Sequence, residues 1–309
     1  IHTGRQEIIA LRHGYSGRSQ LSMNLTAHAG WRLAGSSIPG IKHARSPYCY
    51  RCPWKASPDT CGLECAKDIE ELIQTETSGE IAAFLAEPIQ GVGGFITPPD
   101  DYFEVAVGII RNYGGVFICD EVQTGFGRTG DKWFGIEHSG VEPEIMTMAK
   151  GIANGFPVAN TIATPEVANS FTGKSISTYG GNPVSMAATE ATLSVMVREN
   201  IPSRAASLGS IVREHLTAMK SKYDIIGDVR GKGLMQAIEL VEDRKSKVPA
   251  VEKTSALMEA AKRHGLLIGR GGLYNNVIRL TPPMLSTPEE IIEGCRLLDL
   301  ALGEVVARG

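Results

Sequence analysis

Short apolar runs alternate with stretches of helical periodicity over the first two-thirds of the chain. Four runs, at residues 7–11, 81–87, 116–120 and 145–148, are short, largely uninterrupted by charge and rich in Ile, Val, Phe and Met, the pattern of strands buried on both faces. Between the second and third, residues 101–113 repeat their apolar positions at helical spacing and stop at Gly114-Gly115, the residue type that caps a helix C-terminus. Strand, helix and strand in this order predict a mainly parallel sheet covered by helices, an α/β architecture. A long helical pattern runs from Pro183 to about Glu199, after which the character changes. From Ile201 the pattern predicts a helix, strands at 225–230 and 234–240, a second helix, two more short strands and a final helix from Pro288. The expected organisation is a large α/β domain over residues 1–199 and a smaller C-terminal α+β domain over residues 200–309.

Composition adds exclusions. A chain of 309 residues with 42% hydrophobic content has enough apolar material for a sizeable core. Its net charge of -3 provides no basic field, so nucleic acid is not an expected partner. No apolar run approaches the ~20 residues that span a bilayer, and Ile1-His2-Thr3-Gly4-Arg5 lacks the apolar core of a signal peptide, so no membrane association is expected. The expected location is the cytoplasm or an organelle matrix. The chain starts without methionine and enters a strand-like run at Glu7, so a further N-terminal part is expected to precede it.

Four of the six cysteines, Cys49, Cys52, Cys61 and Cys65, form C-x2-C-x8-C-x3-C. Such spacing suits zinc or a disulfide, and equally an ordered loop with free thiols. The segment PYCYRCPWKASPDTCGLEC is rich in Pro and Cys, which argues against regular structure, and no metal is assigned to it.

Candidate chemistry gathers where strands end, the edge at which open α/β sheets bind ligands. In GGVFICDEVQTGFGRTG the third run finishes on Asp120, followed by Glu121, Gln123 and a glycine-rich turn. A strand-terminal Asp can also cap a helix or bind magnesium. Thirty residues later EIMTMAK delivers Lys150 to the same edge, and the glycine after it lets a bulky group approach the backbone. Schiff-base chemistry needs a desolvated lysine together with a carboxylate that keeps a pyridinium nitrogen protonated. A magnesium-dependent phosphotransferase using Asp120 and Glu121 is the competing enzyme reading, and the chain lacks the G-x-x-x-x-G-K-[ST] loop that would cradle its phosphates. Arg279, in VIRLTPP, lies in a short apolar strand where a guanidinium needs an anion, either a substrate carboxylate or a buried acid.

The strings EPIQGVGG, DEVQTGFGRTG, TMAKGIANGFP and TYGGNP, in this order, resemble the class III aminotransferases of the fold type I pyridoxal-phosphate enzymes. Within that class CGLECAKDIEELI, DIIGDVRGKGLM and GLLIGRGG are most similar to the alanine:glyoxylate aminotransferases. The resemblance implies pyridoxal 5'-phosphate as cofactor, an amino acid and a small 2-oxo acid as substrates, and a homodimer. Lys150 would carry the cofactor and shuttle the proton, Asp120 pair with the ring nitrogen, Gln123 bond the phenolic oxygen, and Tyr15 stack on the ring. The family pattern has His after that aromatic residue, where this chain has Ser16. Thr178 would reach the phosphate of the partner's cofactor, and Arg279 would bind the substrate α-carboxylate. Glu87 would line the substrate pocket or pair with a neighbouring base. Relatives acting on distal amines carry a second Glu at the position of Val92, whose absence favours small 2-oxo acids such as glyoxylate or pyruvate. Another class III aminotransferase, for β-alanine, taurine or 4-aminobutyrate, an aminomutase, or an inactive truncated protein of this fold are the alternatives. The family's upstream region, with the Ser-Gly-rich turn that holds the cofactor phosphate, is not among these residues.

Overall fold

The apolar runs form strands of one sheet in the computed structural model, which describes residues 1–33, 37–57 and 60–308. The chain divides into two units: Ile1–Gln90, Pro98–Phe126 and Phe134–Glu199 make up unit 1, and Gly91–Thr97, Gly127–Trp133 and Asn200–Gly309 make up unit 2.

Unit 1 holds strands β1 (Glu7–Leu11), β2 (Ile41–Ala44), β3 (Ile81–Ala86), β4 (Val116–Asp120), β5 (Ile145–Met148) and β6 (Asn160–Ala163) in the order β2-β1-β3-β4-β5-β6. The pairings are parallel except the last, β5 with β6. Helices α1 (Gln20–Leu25), α2 (Glu64–Glu76), α3 (Tyr102–Asn112), α4 (Pro165–Asn169) and α5 (Pro183–Arg198) accompany them. Helices α2 and α3 pack on each other, and α3 also packs on β3 and β4. Phe84 of β3 registers with Phe117 of β4, their rings stack at 5.7 Å, and Phe103 of α3 completes the contact at 5.6 Å from Phe117. As expected, Gly114 follows the end of α3 at φ +74°, donating its N–H to the carbonyl of Arg111.

Several elements of this unit were not anticipated, the short helices α1 and α4 among them. Helix α2 begins at Glu64 inside the cysteine-rich segment, and Cys65, Ala66, Ile69, Leu72 and Ile73 form its buried stripe. Strand β2 is half polar over only four positions, Ile41-Lys42-His43-Ala44, with no alternation to read, and parallel register with β1 holds it in place. Strand β6 is exposed throughout and pairs along one edge only, so it carries no apolar pattern to read.

Unit 2 runs α6 (Ile201–Lys222), β7 (Ile226–Lys232), β8 (Met235–Leu240), α7 (Val251–Arg263), β9 (Gly269–Gly271), β10 (Val277–Leu280) and α8 (Pro288–Ala307). Its sheet, β7-β8-β10-β9, is antiparallel throughout. The three helices bury Leu216, Leu257 and Leu302 with Ile226, Ile238 and Ile278 of the sheet. The start of α8 is set locally by a capping box in which Thr287 Oγ1 accepts from Glu290 N at 3.2 Å and Glu290 Oε2 accepts from Thr287 N at 2.9 Å.

Gly209 of α6 decides a sign. Alanine in a helix interior gains about 1 kcal/mol over glycine, yet a Cβ here would lie 2.4 Å from the carbonyl oxygen of Gly233. That contact is with backbone and cannot swing away. Gly209→Ala is therefore expected to destabilise by about 1–3 kcal/mol, seen as a lower urea midpoint at unchanged m-value; an unchanged or higher midpoint would contradict this packing.

Candidate active site

Parallel pairing of β4 with β5 sets Asp120 opposite Thr147, and the ladder continues one residue further, with Glu121 N donating to the carbonyl of Thr147 at 2.9 Å. Three residues after Thr147 the chain reaches Lys150. This residue opens a short 3-10 turn, Lys150–Ala153, at φ +50°, a left-handed conformation that non-glycine residues seldom adopt. Asp120, 8% exposed, accepts from Val122 N at 3.1 Å through Oδ1. Burial pushes its carboxyl above the ordinary value, while the Val122 N–H and the Lys150 ammonium pull it back. The two groups thus sense each other's charge at one sheet edge. Lys150 itself is exposed, so the desolvation expected of a Schiff-base lysine is not supplied by the described residues.

Glu121 points the other way from Asp120, as strand alternation requires. It is wholly buried and takes hydrogen bonds from Thr124 Oγ1, from Gly135 N at 2.9 Å and from Ile136 N at 2.8 Å, with the Cys119 thiol at 3.7 Å. The acid that the sequence offered as a second metal ligand is therefore an internal staple, closing the turn at 121–125 onto residues 135–136. Gln123 is half-buried within that turn, between Val122, which is bound to Asp120, and Thr124, which is bound to Glu121.

The turn after β1 carries Tyr15. Its amide donates to Glu87 Oε1 at 3.0 Å, and its half-buried ring meets Trp31 edge-on at 5.4 Å. Strand β3 ends at Ala86, one residue short of the predicted boundary, and leaves Glu87 6% exposed with this backbone contact. Gln90, 1% exposed, holds the same turn by donating from Nε2 to the carbonyl of Arg12 at 2.7 Å. Neither this Gln90 tie nor the Glu121 staple was read from sequence, because a buried polar side chain facing backbone leaves no periodic signal. Thr178 is exposed, in the segment between α4 and α5.

In unit 2, Arg279 lies on β10 opposite Ala237 of β8 and Gly269 of β9. Nη1 donates to the carbonyl of Gly91 and Nη2 to that of Arg270, both at 3.3 Å, and the guanidinium sits 5.7 Å from the centre of the Phe95 ring. The Gly271 backbone comes so close that an added Cβ would meet Nε at 2.8 Å. Arg279 also lines a cavity of about 340 Å³ with Ile268, Thr281 and Cys295.

Cys49, Cys52, Cys61 and Cys65 line one small cavity of about 20 Å³, and none of the four is in a disulfide. Burial pushes the Cys65 thiol up to about 12, with the neighbouring Cys61, Cys49 and Cys52 adding to the rise. Among the described residues no three His, Cys, Asp or Glu side chains are grouped to hold a metal ion, and no helix is long and apolar enough to cross a membrane.

The family model described as aminotransferase class-III matches residues 1–302. The chain is 44% identical to a protein of Arabidopsis thaliana named alanine--glyoxylate aminotransferase 2 homolog 2, mitochondrial, over 94% of this chain and 60% of that one. It is 36% identical to a leucine/methionine racemase of Thermococcus litoralis over 96% of this chain and 70% of the other. An amine transaminase structure from an uncultivated Pseudomonas species, described as PLP-bound, superposes with a TM-score of 0.92 at 32% identity, covering 98% of this chain and 71% of that one. The chain thus spans about 60% of the length of the Arabidopsis relative.

The Glu121 staple generates a prediction with a definite sign. Burial raises its carboxyl above the ordinary 4.5, against the pull of its four donors, so the native state keeps this proton to higher pH than the unfolded chain does. Its contribution to stability is present below pH 4.5 and is lost as pH rises through the folded value. Glu121→Gln should remove that component of the slope in urea unfolding between pH 4.5 and neutrality, and cost about 1–3 kcal/mol at pH 7 by turning an amide donor toward a buried donor. An unaltered slope and stability would show that the staple is not formed.

Proposed function

The chain belongs to the class-III aminotransferase family, and we propose that the complete protein moves an amino group from an amino acid such as alanine to a small 2-oxo acid, glyoxylate or pyruvate. The observation that carries this reading is the Asp120–Lys150 pair, a buried carboxylate and a lysine that share the edge formed by β4 and β5.

The family's cofactor is pyridoxal phosphate, and the residues present fit its ring. A carboxylate that feels a nearby ammonium can hold a proton on a ring nitrogen, a half-buried aromatic ring supplies a stacking surface at Tyr15, and Gln123 stands on the turn beside Asp120. When bound, pyridoxal phosphate supplies the electron sink that makes removal of the substrate's α-proton accessible. Lys150 would hold the cofactor, then take the α-proton and return it at the position the cofactor presents. Asp120 would keep the ring nitrogen protonated. Glu87, through the Tyr15 amide, would fix the turn that aims the tyrosine ring. Arg279 would receive the substrate α-carboxylate in the planar, two-pronged manner suited to its fork.

Pairing of two copies would complete the site through Thr178. Close to that residue in the chain Ile176 is 94% exposed, Tyr179 81% and Val184, at the start of α5, 67%, bare apolar side chains that a second copy would cover.

The racemase relative supports one other reading, inversion of an amino acid without a keto acceptor. Mass analysis of products from the full-length protein with alanine, β-alanine, ornithine or 4-aminobutyrate, with and without glyoxylate or pyruvate, together with chiral analysis of the recovered alanine and ornithine, separates the two. Amino transfer that requires the 2-oxo acid supports the aminotransferase; loss of optical activity without acceptor would replace it.

Two substitutions test the roles directly. Asp120→Asn keeps the shape and removes the charge, and is expected to slow the amino-acid half-reaction by about 10²-fold or more while Lys150→Ala abolishes it; near-normal rates in either would refute the pair. Val92→Glu adds a carboxylate next to Gly91, whose carbonyl accepts from Arg279. It is expected to lower kcat/KM for glyoxylate and pyruvate by about 1–3 kcal/mol in transition-state terms, and unchanged kinetics with both acceptors would show that Val92 does not face the arginine.

A further inference from the structure

Segment Gly91–Thr97 forms a strap over the sheet of unit 2 and holds the guanidinium of Arg279 from one side. Arg279 Nη1 donates to the carbonyl of Gly91 at 3.3 Å, and the Phe95 ring lies 5.7 Å from its guanidinium carbon. Anything that moves the strap changes where Arg279 points. Two ties fasten it: Gly272 N donates to the carbonyl of Val92 at 3.0 Å, and Arg230 Nε donates to the carbonyl of Gly94 at 2.9 Å.

Arg230 can make that second tie because its own orientation is over-determined. Nη1 reaches Glu239 Oε2 at 2.7 Å and Asp228 Oδ2 at 2.8 Å, and Glu239 is wholly buried. Asn276 closes the far side, donating from Nδ2 to the carbonyl of Leu240 at 2.7 Å and approaching Glu239 Oε1 at 3.4 Å. Glu239 registers with Val277 on β10, two residues from Arg279. A guanidinium bonds three acceptors in one plane with a fixed fork, which an ammonium on a flexible stem does not reproduce. The strap is also close-packed at Gly94, φ +98°, where an added Cβ would meet Val277 Cγ2 at 3.0 Å, Gly272 Cα at 3.2 Å and Arg230 Nη2 at 3.3 Å.

We infer that Arg230 is a positioning residue: clamped by Asp228 and Glu239, it fixes the strap that aims Arg279, and so sets the preference of the site for carboxylate-bearing substrates. This role rests on Arg279 being the carboxylate binder, and the test keeps the two apart.

Full-length protein loaded with pyridoxal phosphate is titrated with two reagents that condense with the cofactor, aminooxyacetate, which carries a carboxylate, and O-methylhydroxylamine, which does not, each followed by absorbance. Arg230→Lys keeps the charge and loses the fork. Arg230→Met with Glu239→Leu removes the buried pair together, in case a broken pair prevents folding, and Gly94→Ala displaces the strap while leaving the pair intact. Each is expected to weaken aminooxyacetate by about tenfold and O-methylhydroxylamine by less than about twofold, the signature of lost carboxylate recognition. Arg279→Ala should show the same selective loss, larger. If Arg279→Ala weakens both reagents equally, or if neither reagent reacts with the unaltered protein, the assignment of Arg279 falls and this role falls with it. If Arg279→Ala is selective and the Arg230 and Gly94 variants leave the ratio of the two reagents unchanged, Arg230 does not position Arg279.

Discussion

The register of two parallel strands is the constraint on which the candidate site depends. Asp120 and Lys150 share an edge because β4 pairs with β5 so that Asp120 faces Thr147, three residues before the lysine. A slip of one residue would turn Asp120 to the opposite face and bring Glu121 to the edge in its place. The two adjacent acids are therefore distinguished by strand alternation alone. Asp120 sits where it feels the Lys150 charge, and Glu121 is buried against the backbone amides of Gly135 and Ile136. By tying the turn after β4 to a later segment, Glu121 makes a slip costly, since four hydrogen-bond donors would lose their acceptor together.

Much of this was legible in the sequence because it rests on local signals. The runs ending at Leu11, Asp120 and Met148 became strands with those ends, and the starts of α5 and α8 fell on Pro183 and Pro288, each preceded by a capping side chain, Asn182 and Thr287. What escaped is long-range. Strand β2, short and half polar, exists through its register with β1, and β6 is an exposed edge. Helix α2 was hidden by the cysteines, which suggested a loop, although Ile69, Leu72 and Ile73 fall at helical spacing. Among site residues, the contacts between Glu87 and the Tyr15 amide and between Arg230 and the Gly94 carbonyl join positions 72 and 136 residues apart, with backbone atoms as partners. No pattern of side-chain types along a sequence encodes a side chain that meets a distant peptide group.

The two units carry different kinds of chemistry by different means. Unit 1 places charged groups at the end of parallel strands, where the sheet itself fixes their spacing. Unit 2 holds its arginine by backbone carbonyls and an aromatic face, with a buried cluster of Arg230, Asp228 and Glu239 behind the strap. Such a cluster contributes little net stability, because desolvation offsets most of the attraction. Its geometry, which joins one guanidinium to two carboxylates and a carbonyl, constrains direction, and direction is what recognition of a planar carboxylate requires.

The central claim, that Lys150 is the residue joined to pyridoxal phosphate in this member of the class-III aminotransferases, has one direct measurement. The full-length protein is incubated with pyridoxal phosphate, reduced with borohydride, digested and mapped by mass. A single pyridoxyl label on the peptide that contains Lys150 is the result this account predicts, while a label on another lysine, or no label on a folded protein, would contradict it.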